Sequence, residues 1–232
     1  MNALGSRVSA SGAPAGAALQ LVLETLAGQR LPGWDRLSGH LSIVRLRRGE
    51  VLYDVGTHAP DMFVVRRGTL RVVVPDAAGR EWIVNFCQPG DLVVSLSSFA
   101  PVGLRRITTL VQTPKMPALD DLGHSQSKAV ALTNTELDRI DGRTLSQLCE
   151  RHVEWSNALL TGLFAHALTK EKRERELLTM TPEERYRQFV NDYPHLLDDL
   201  TQKDIARHLG ITPVGLSRIA SRVRASRAPD VG

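Results

Sequence analysis

The 232-residue chain has little cysteine: only Cys87 and Cys149, far apart in sequence. That is no disulfide framework, so a cytoplasmic location is expected. Both thiols read as buried and inert, with redox sensing as the alternative. Aromatic residues reach only 5%, which leaves little surface on which bases could stack. No run approaches the ~20 apolar residues that a membrane helix needs, so no bilayer-spanning segment is expected. Residues 1–18 (MNALGSRVSASGAPAGAA) lack the basic start and continuous apolar block of a secretory signal and read as a flexible tail. There is no Gly-rich phosphate loop and no Ser/His/Asp arrangement, so a hydrolase or nucleotide-cleaving enzyme has no support. The seven histidines (His40, His58, His124, His152, His166, His195 and His208) show no close metal-ligand spacing. A cupin-type metalloenzyme would need His and Glu clustered on adjacent strands, which His40 and His58 do not supply. His152 and His166 read as helix interface residues and not as haem ligands. No cofactor is expected.

What is present is an ordinary globular composition, 42% apolar and 23% charged, enough for one large domain or two modest ones. Leu19–Leu31 reads as a short helix with Gly28 near its end. From Ile43 the pattern turns to short apolar runs broken by glycines: Ile43–Leu46, Val51–Tyr53, Met62–Val65, Leu70–Val74, Trp82–Phe86 and Leu92–Val94. Several short strands with glycine turns predict an antiparallel roll or sandwich. Residues 112–126 (QTPKMPALDDLGHSQ) read as a long loop, and strand character resumes at Lys128–Leu132. From Asp141 to about Leu178 the period is helical. Leu145, Leu148, His152, Trp155, Leu159 and Gly162 alternate at spacings of three and four, which predicts a seam against a second copy of the chain. Thr181-Pro182-Glu183-Glu184 is a helix start, with Thr181 as cap and Glu184 closing a capping box.

The net charge is only +4, but its placement matters. Between Thr201 and Arg227 stand Lys203, Arg207, Arg218, Arg222, Arg224 and Arg227, against the single acid Asp204. Such clustering suits a nucleic-acid surface. The same segment, LTQKDIARHLGITPVGLSRIASRVR (200–224), reads as helix, glycine turn, helix. Thr201 caps the first helix and Gly210 ends it. Thr212 caps the second, with Pro213 at its first position, and Ile205, Ala206, Leu209, Leu216 and Ile219 face inward. In a helix-turn-helix the second helix enters the major groove, so Pro213, Val214, Gly215, Ser217, Arg218 and Arg222 face outward to DNA. Arg218 is the expected guanine reader. Thr201, Gln202 and Thr212 lie where they can reach phosphates.

Together these strings resemble the CRP/FNR superfamily of bacterial transcription regulators: Arg48-Gly49-Glu50-Val51-Leu52 to Gly56, Phe63–Gly68, Gly79-Arg80-Glu81, Pro89-Gly90-Asp91, Glu136–Asp141 and the 200–219 segment. The resemblance implies an α+β chain: a cyclic-nucleotide-binding-like β-roll (19–140) that is a sensor or a retained scaffold, a dimerisation helix and hinge (141–178), and a helix-turn-helix domain (179–232). With only residues 225–232 after the second helix, a truncated or absent wing is expected. It also implies a homodimer, double-stranded DNA and RNA polymerase as partners, and an unidentified small-molecule effector. Cyclic AMP binders of the family follow Pro-Gly-Asp with Phe-Gly-Glu, whose glutamate holds the ribose. Here Val93-Val94-Ser95 stands instead. Arg105 has the spacing of the phosphate-binding arginine, but Arg106 follows it where a hydroxyl residue is usual. Ser95, Arg105 and Arg106 are thus the candidate effector-pocket residues, and their chemistry argues against cyclic AMP. The alternative output is a sensor β-roll acting through protein contacts.

Overall fold

The structure, a computed structural model, describes residues 12–99 and 122–225. The chain divides into two compact units, residues 1–74 with 86–163, and residues 75–85 with 164–232.

The first unit holds most of the expected antiparallel β-roll. The strands are β1 (Leu41–Leu46), β2 (Val51–Tyr53), β3 (Met62–Arg67), β4 (Leu70–Pro75), β5 (Glu81–Cys87, of which residues 81–85 belong to the second unit), β6 (Leu92–Val94), β7 (Lys128–Ala131) and β8 (Thr135–Ile140). They form two four-stranded sheets, ordered β1-β8-β3-β6 and β2-β7-β4-β5. Register follows burial: Leu41 pairs with Ile140, and Phe63 with Arg139 on one side and Val93 on the other. Phe63, Val65, Leu70, Cys87, Val93 and Leu137 bury one shared core. Gly68 sits at φ +82° in the β3–β4 turn, where a Cβ would run into the main-chain oxygen of Asn134. Only glycine fits both demands.

Helix α1 (Ala17–Ala27) begins at Gly16, which offers no side chain to cap it. The cap comes from across the fold. The fully buried Asp138 on β8 accepts from the main-chain N–H groups of Ala18 (2.8 Å) and Leu19 (3.2 Å). A carboxylate at a helix N-terminus satisfies orphan donors and the positive end of the helix dipole together. Arg66 completes the arrangement with an ion pair to Asp138 at 2.7 Å and bonds to the carbonyls of Ala13 and Pro14. Ala13, Pro14 and the helix from Ala17 are thus tied into the fold, which corrects the expectation of a tail running to residue 18; residues 1–11 lie outside the described ones.

The continuous dimerisation helix expected from 141 to 178 is two helices, α2 (Gly142–Arg151) and α3 (Val153–Thr179). His152 between them is extended, at φ −136° and ψ 116°. The second unit holds the β4–β5 turn with β5 as far as residue 85, α3 from residue 164, α4 (Pro182–Asp192), α5 (Gln202–Leu209) and α6 (Pro213–Ala225). In the turn, Asp76 accepts from the N–H groups of Ala78 and Arg80, from Arg80 Nε and from Trp82 Nε1. Those bonds, Trp82's first, hold its carboxyl down at about 2. Thr181 and Glu184 form the expected capping box at the start of α4.

Candidate nucleic-acid interface

The interface is built by local signals that agree. Thr201 Oγ1 accepts from the Asp204 N–H (3.1 Å), and the Asp204 carboxylate accepts from the Thr201 N–H (3.1 Å) and hydroxyl (2.6 Å). Asp204, the single acid of the basic segment, is thereby spent on the cap and buried. Gly210 ends α5 at φ 70°, ψ 33° and its N–H donates to the Ala206 carbonyl. Thr212 Oγ1 then accepts from the Gly215 N–H at 3.1 Å and starts α6. Ile205, Ala206, Leu209, Leu216, Ile219, Ala220 and Val223 are buried, and α6 packs on both α5 and α4. The two helices and glycine turn form the geometry expected of the motif.

Burial of that inner set leaves a definite outer face. Pro213, Val214, Ser217, Arg218, Ser221 and Arg222 are exposed, and Gly215 is half-buried. Val214, an apolar side chain, is 64% exposed with no protein surface over it. Arg218 has no acidic partner within ion-pair distance among the described residues. Arg222 does, with Nη2 lying 3.3 Å from Glu183 on α4. Thr201, Gln202 and Thr212 are exposed at the helix starts, although the hydroxyls of Thr201 and Thr212 are already engaged in capping. Ser221 shares the outer face and was not among the sequence candidates; its i+4 spacing from Ser217 is the signal that marks it.

The seam residues are placed differently from expectation. Leu145 and Trp155 are fully buried within one chain. Trp155 stacks on Trp34 with centroids 5.6 Å apart and donates Nε1–H to the Pro32 carbonyl. Leu148 and Leu159 are partly buried against the same core, and His152 sits at the helix break. The break shifts the helical phase, so the stripe read across 145–162 turns inward to the chain's own core. A different stripe of α3 faces out: Val153 (65% exposed), Leu160 (53%), Phe164 (63%) and Leu168 (62%). Its sequence signal is apolar residues at spacings of seven, four and four after the break, which share one face of an α-helix.

The candidate effector residues are only partly visible. Ser95 is buried, and its hydroxyl donates to Ser98 Oγ at 3.1 Å. Arg105 and Arg106 lie outside the described residues, as do most of the 112–126 loop and residues 226–232. The histidines do not converge: among the described residues no three His, Cys, Asp or Glu side chains could hold a metal ion together. No helix of the described residues is long and apolar enough to cross a membrane. Burial pushes the Cys149 thiol up to about 11, and Cys87 is buried.

Comparison with known proteins agrees with this architecture. A cyclic nucleotide-binding domain matches residues 43–114. The transcriptional regulatory protein btr of Bordetella pertussis is 24% identical over 185 residues, 77% of this chain and 69% of that protein. FixK2 from Bradyrhizobium japonicum superposes with a TM-score of 0.62 at 19% identity, covering 80% of this chain and 85% of its own. A chain from Eubacterium rectale assigned to the crp/fnr family of transcriptional regulators superposes with a TM-score of 0.64 at 13% identity, covering 84% and 88%. These matches show a shared fold, a β-roll followed by helices, which is the fold that the sequence resemblance implies.

Proposed function

We propose that this chain, built on the CRP/FNR architecture, is a homodimeric, sequence-specific DNA-binding regulator of transcription. The observation that carries the reading is α6: capped, packed on α5 and α4 by its inner face, and presenting Val214, Ser217, Arg218 and Ser221 outward without cover. A helix of that kind enters the major groove with its N-terminal half on base edges. Arg218 donates to guanine O6 and N7, and Val214 packs on a thymine methyl. Gln202 and the main-chain donors beside Thr201 and Thr212 hold the backbone. Arg222, tethered by Glu183, is offered to phosphate and supplies affinity without sequence preference.

The exposed stripe Val153, Leu160, Phe164 and Leu168 supports the dimer, because an apolar helix face of that length is covered most simply by its two-fold copy. Two copies of α6 then read a near-palindromic site, and the bound dimer acts on RNA polymerase at a promoter. The β-roll is the sensor. With Ser95 bonded to Ser98 where cyclic AMP binders carry a carboxylate, the ribose hydroxyls would lack a partner, and the effector is another small molecule.

Binding to a random duplex library at two salt concentrations, followed by sequencing, tests this reading. Enrichment of a two-fold-related motif, with affinity that falls as salt rises, is expected. Binding with no enriched motif would contradict it. No binding at either salt would favour a sensor that acts through protein contacts.

A further inference from the structure

Within the second unit a cavity of about 120 Å³ opens between α3, α4, α5 and the end of β5. That is several times the ~10–15 Å³ a single water needs. Its walls carry four permanent cations, Lys170, Lys172, Arg173 and Arg185, against two carboxylates, Glu176 and Asp192. The carboxylates are already engaged. Glu176 accepts from Gln188 Nε2 at 2.7 Å and pairs with Lys172 at 3.6 Å; Asp192 lies 3.4 Å from the same Gln188 nitrogen. Arg173 is left with main-chain carbonyls and an imidazole: His208 O at 2.6 Å, Ile83 O at 3.3 Å and His208 Nε2 at 3.3 Å. Arg185 donates Nη1 to the carbonyls of Met180 and Leu177, while its buried Nε has no hydrogen-bond partner.

We propose that this cavity is a binding site for a compact dianion, a small molecule bearing a phosphate or two carboxylates, held by Arg173, Arg185 and Lys170. Arg173 and Arg185 are half-buried, the carboxylate nearest Arg173 is already shared with Lys172 and Gln188, and the buried Arg185 Nε lacks an acceptor. A dianion supplies both the missing charge and the missing acceptors, and arginine's fork matches phosphate and carboxylate oxygens. The local field points the same way. Burial lowers the Arg173 pKa, helped by the neighbouring Arg185 charge and opposed by Tyr193 and Glu176. His208 is pushed down to about 3 by burial first and by Arg173 second, and so adds no positive charge of its own. Because α3, α4 and α5 all line the cavity, its occupant braces the first helix of the helix-turn-helix. That last consequence rests on the DNA-binding reading; the binding itself does not.

Titration calorimetry of the full chain with inorganic phosphate, succinate and adenosine monophosphate, at constant ionic strength against chloride, tests the site. One saturating event per chain, with a Kd below about 1 mM for at least one of the three, is expected. The tightest probe identifies the source of the charge. K170Q at the half-exposed edge and R173Q should each weaken that probe by at least about tenfold, as loss of a charge-assisted bond does. Circular dichroism confirms that each variant is folded, and if R173Q is not, K170Q alone decides. No saturable binding by any probe up to about 10 mM, or affinity unchanged in the folded variants, overturns the proposal.

Discussion

Replacing Phe164 by Ala removes the centre of the outward stripe of α3. The ring is 63% exposed in the single chain. An aromatic side chain offers ~150–250 Å², so on the order of 100–150 Å² per copy is available for burial against a partner. At ~25 cal/mol per Å² that is about 3 kcal/mol, and the two-fold axis counts it twice. The rigid-body entropy of association is common to both proteins and drops out of the difference. Alanine keeps part of the buried area, so the dimer dissociation constant should rise by roughly three to four orders of magnitude, at ~1.4 kcal/mol per decade. Sedimentation equilibrium across nanomolar to high-micromolar concentrations measures it. Leu145→Ala is the internal comparison. Leu145 is fully buried in its own chain, so its loss should cost about 2–5 kcal/mol of folding stability and leave the dimer constant unchanged. A Phe164 variant with unaltered dimerisation, or a Leu145 variant that dissociates while folded, refutes the placement of the two stripes.

Asp138→Ala should lower stability by about 3–5 kcal/mol, since it leaves Arg66 buried without its counter-charge and α1 without its cap. Calorimetry should show the transition falling by roughly 6–20 °C, and a shift near zero would show that the ion pair is not what ties α1 down. His208 should make the second unit acid-sensitive. With the folded pKa depressed to about 3 and the unfolded one at 6.5, its contribution is full above pH 6.5 and lost progressively as pH falls toward 3. About 2 kcal/mol should disappear between pH 7 and 5 in urea unfolding, and His208→Gln should remove that part of the slope. An identical slope in the variant would contradict the neutral imidazole. Glu183→Gln should free Arg222 and change affinity for all DNA sequences alike, measured by anisotropy. A sequence-dependent change would place Arg222 on bases.

The β-roll was legible because glycine turns punctuate short apolar runs, and the helix-turn-helix because cap, turn and inner face each leave a local mark. Thr201, Gly210, Thr212 and Leu216 all take the roles their residue types suggest. What escaped depends on contacts distant in sequence. Nothing around Asp138 announces that it caps a helix some 120 positions earlier, and Arg66 looks like a surface arginine in a strand. The seam failed for a related reason. Heptad spacing across His152 assumes one straight helix, and a single extended residue there rotates Trp155 into contact with Trp34. The cavity at Arg173 combines residues from α3, α4, α5 and β5 that are far apart in sequence and share no spacing.

If α6 reads bases, Arg218→Ala must change which sequence is preferred. Binding of the variant and the unaltered protein is compared on the enriched duplex and on a scrambled one, at two salt concentrations. A loss of ~1–3 kcal/mol on the enriched site, relaxed preference at one position per half-site, and little change in folding stability are expected. An Arg218 variant that keeps the full sequence preference, or that loses equal affinity for both duplexes, contradicts base reading by α6.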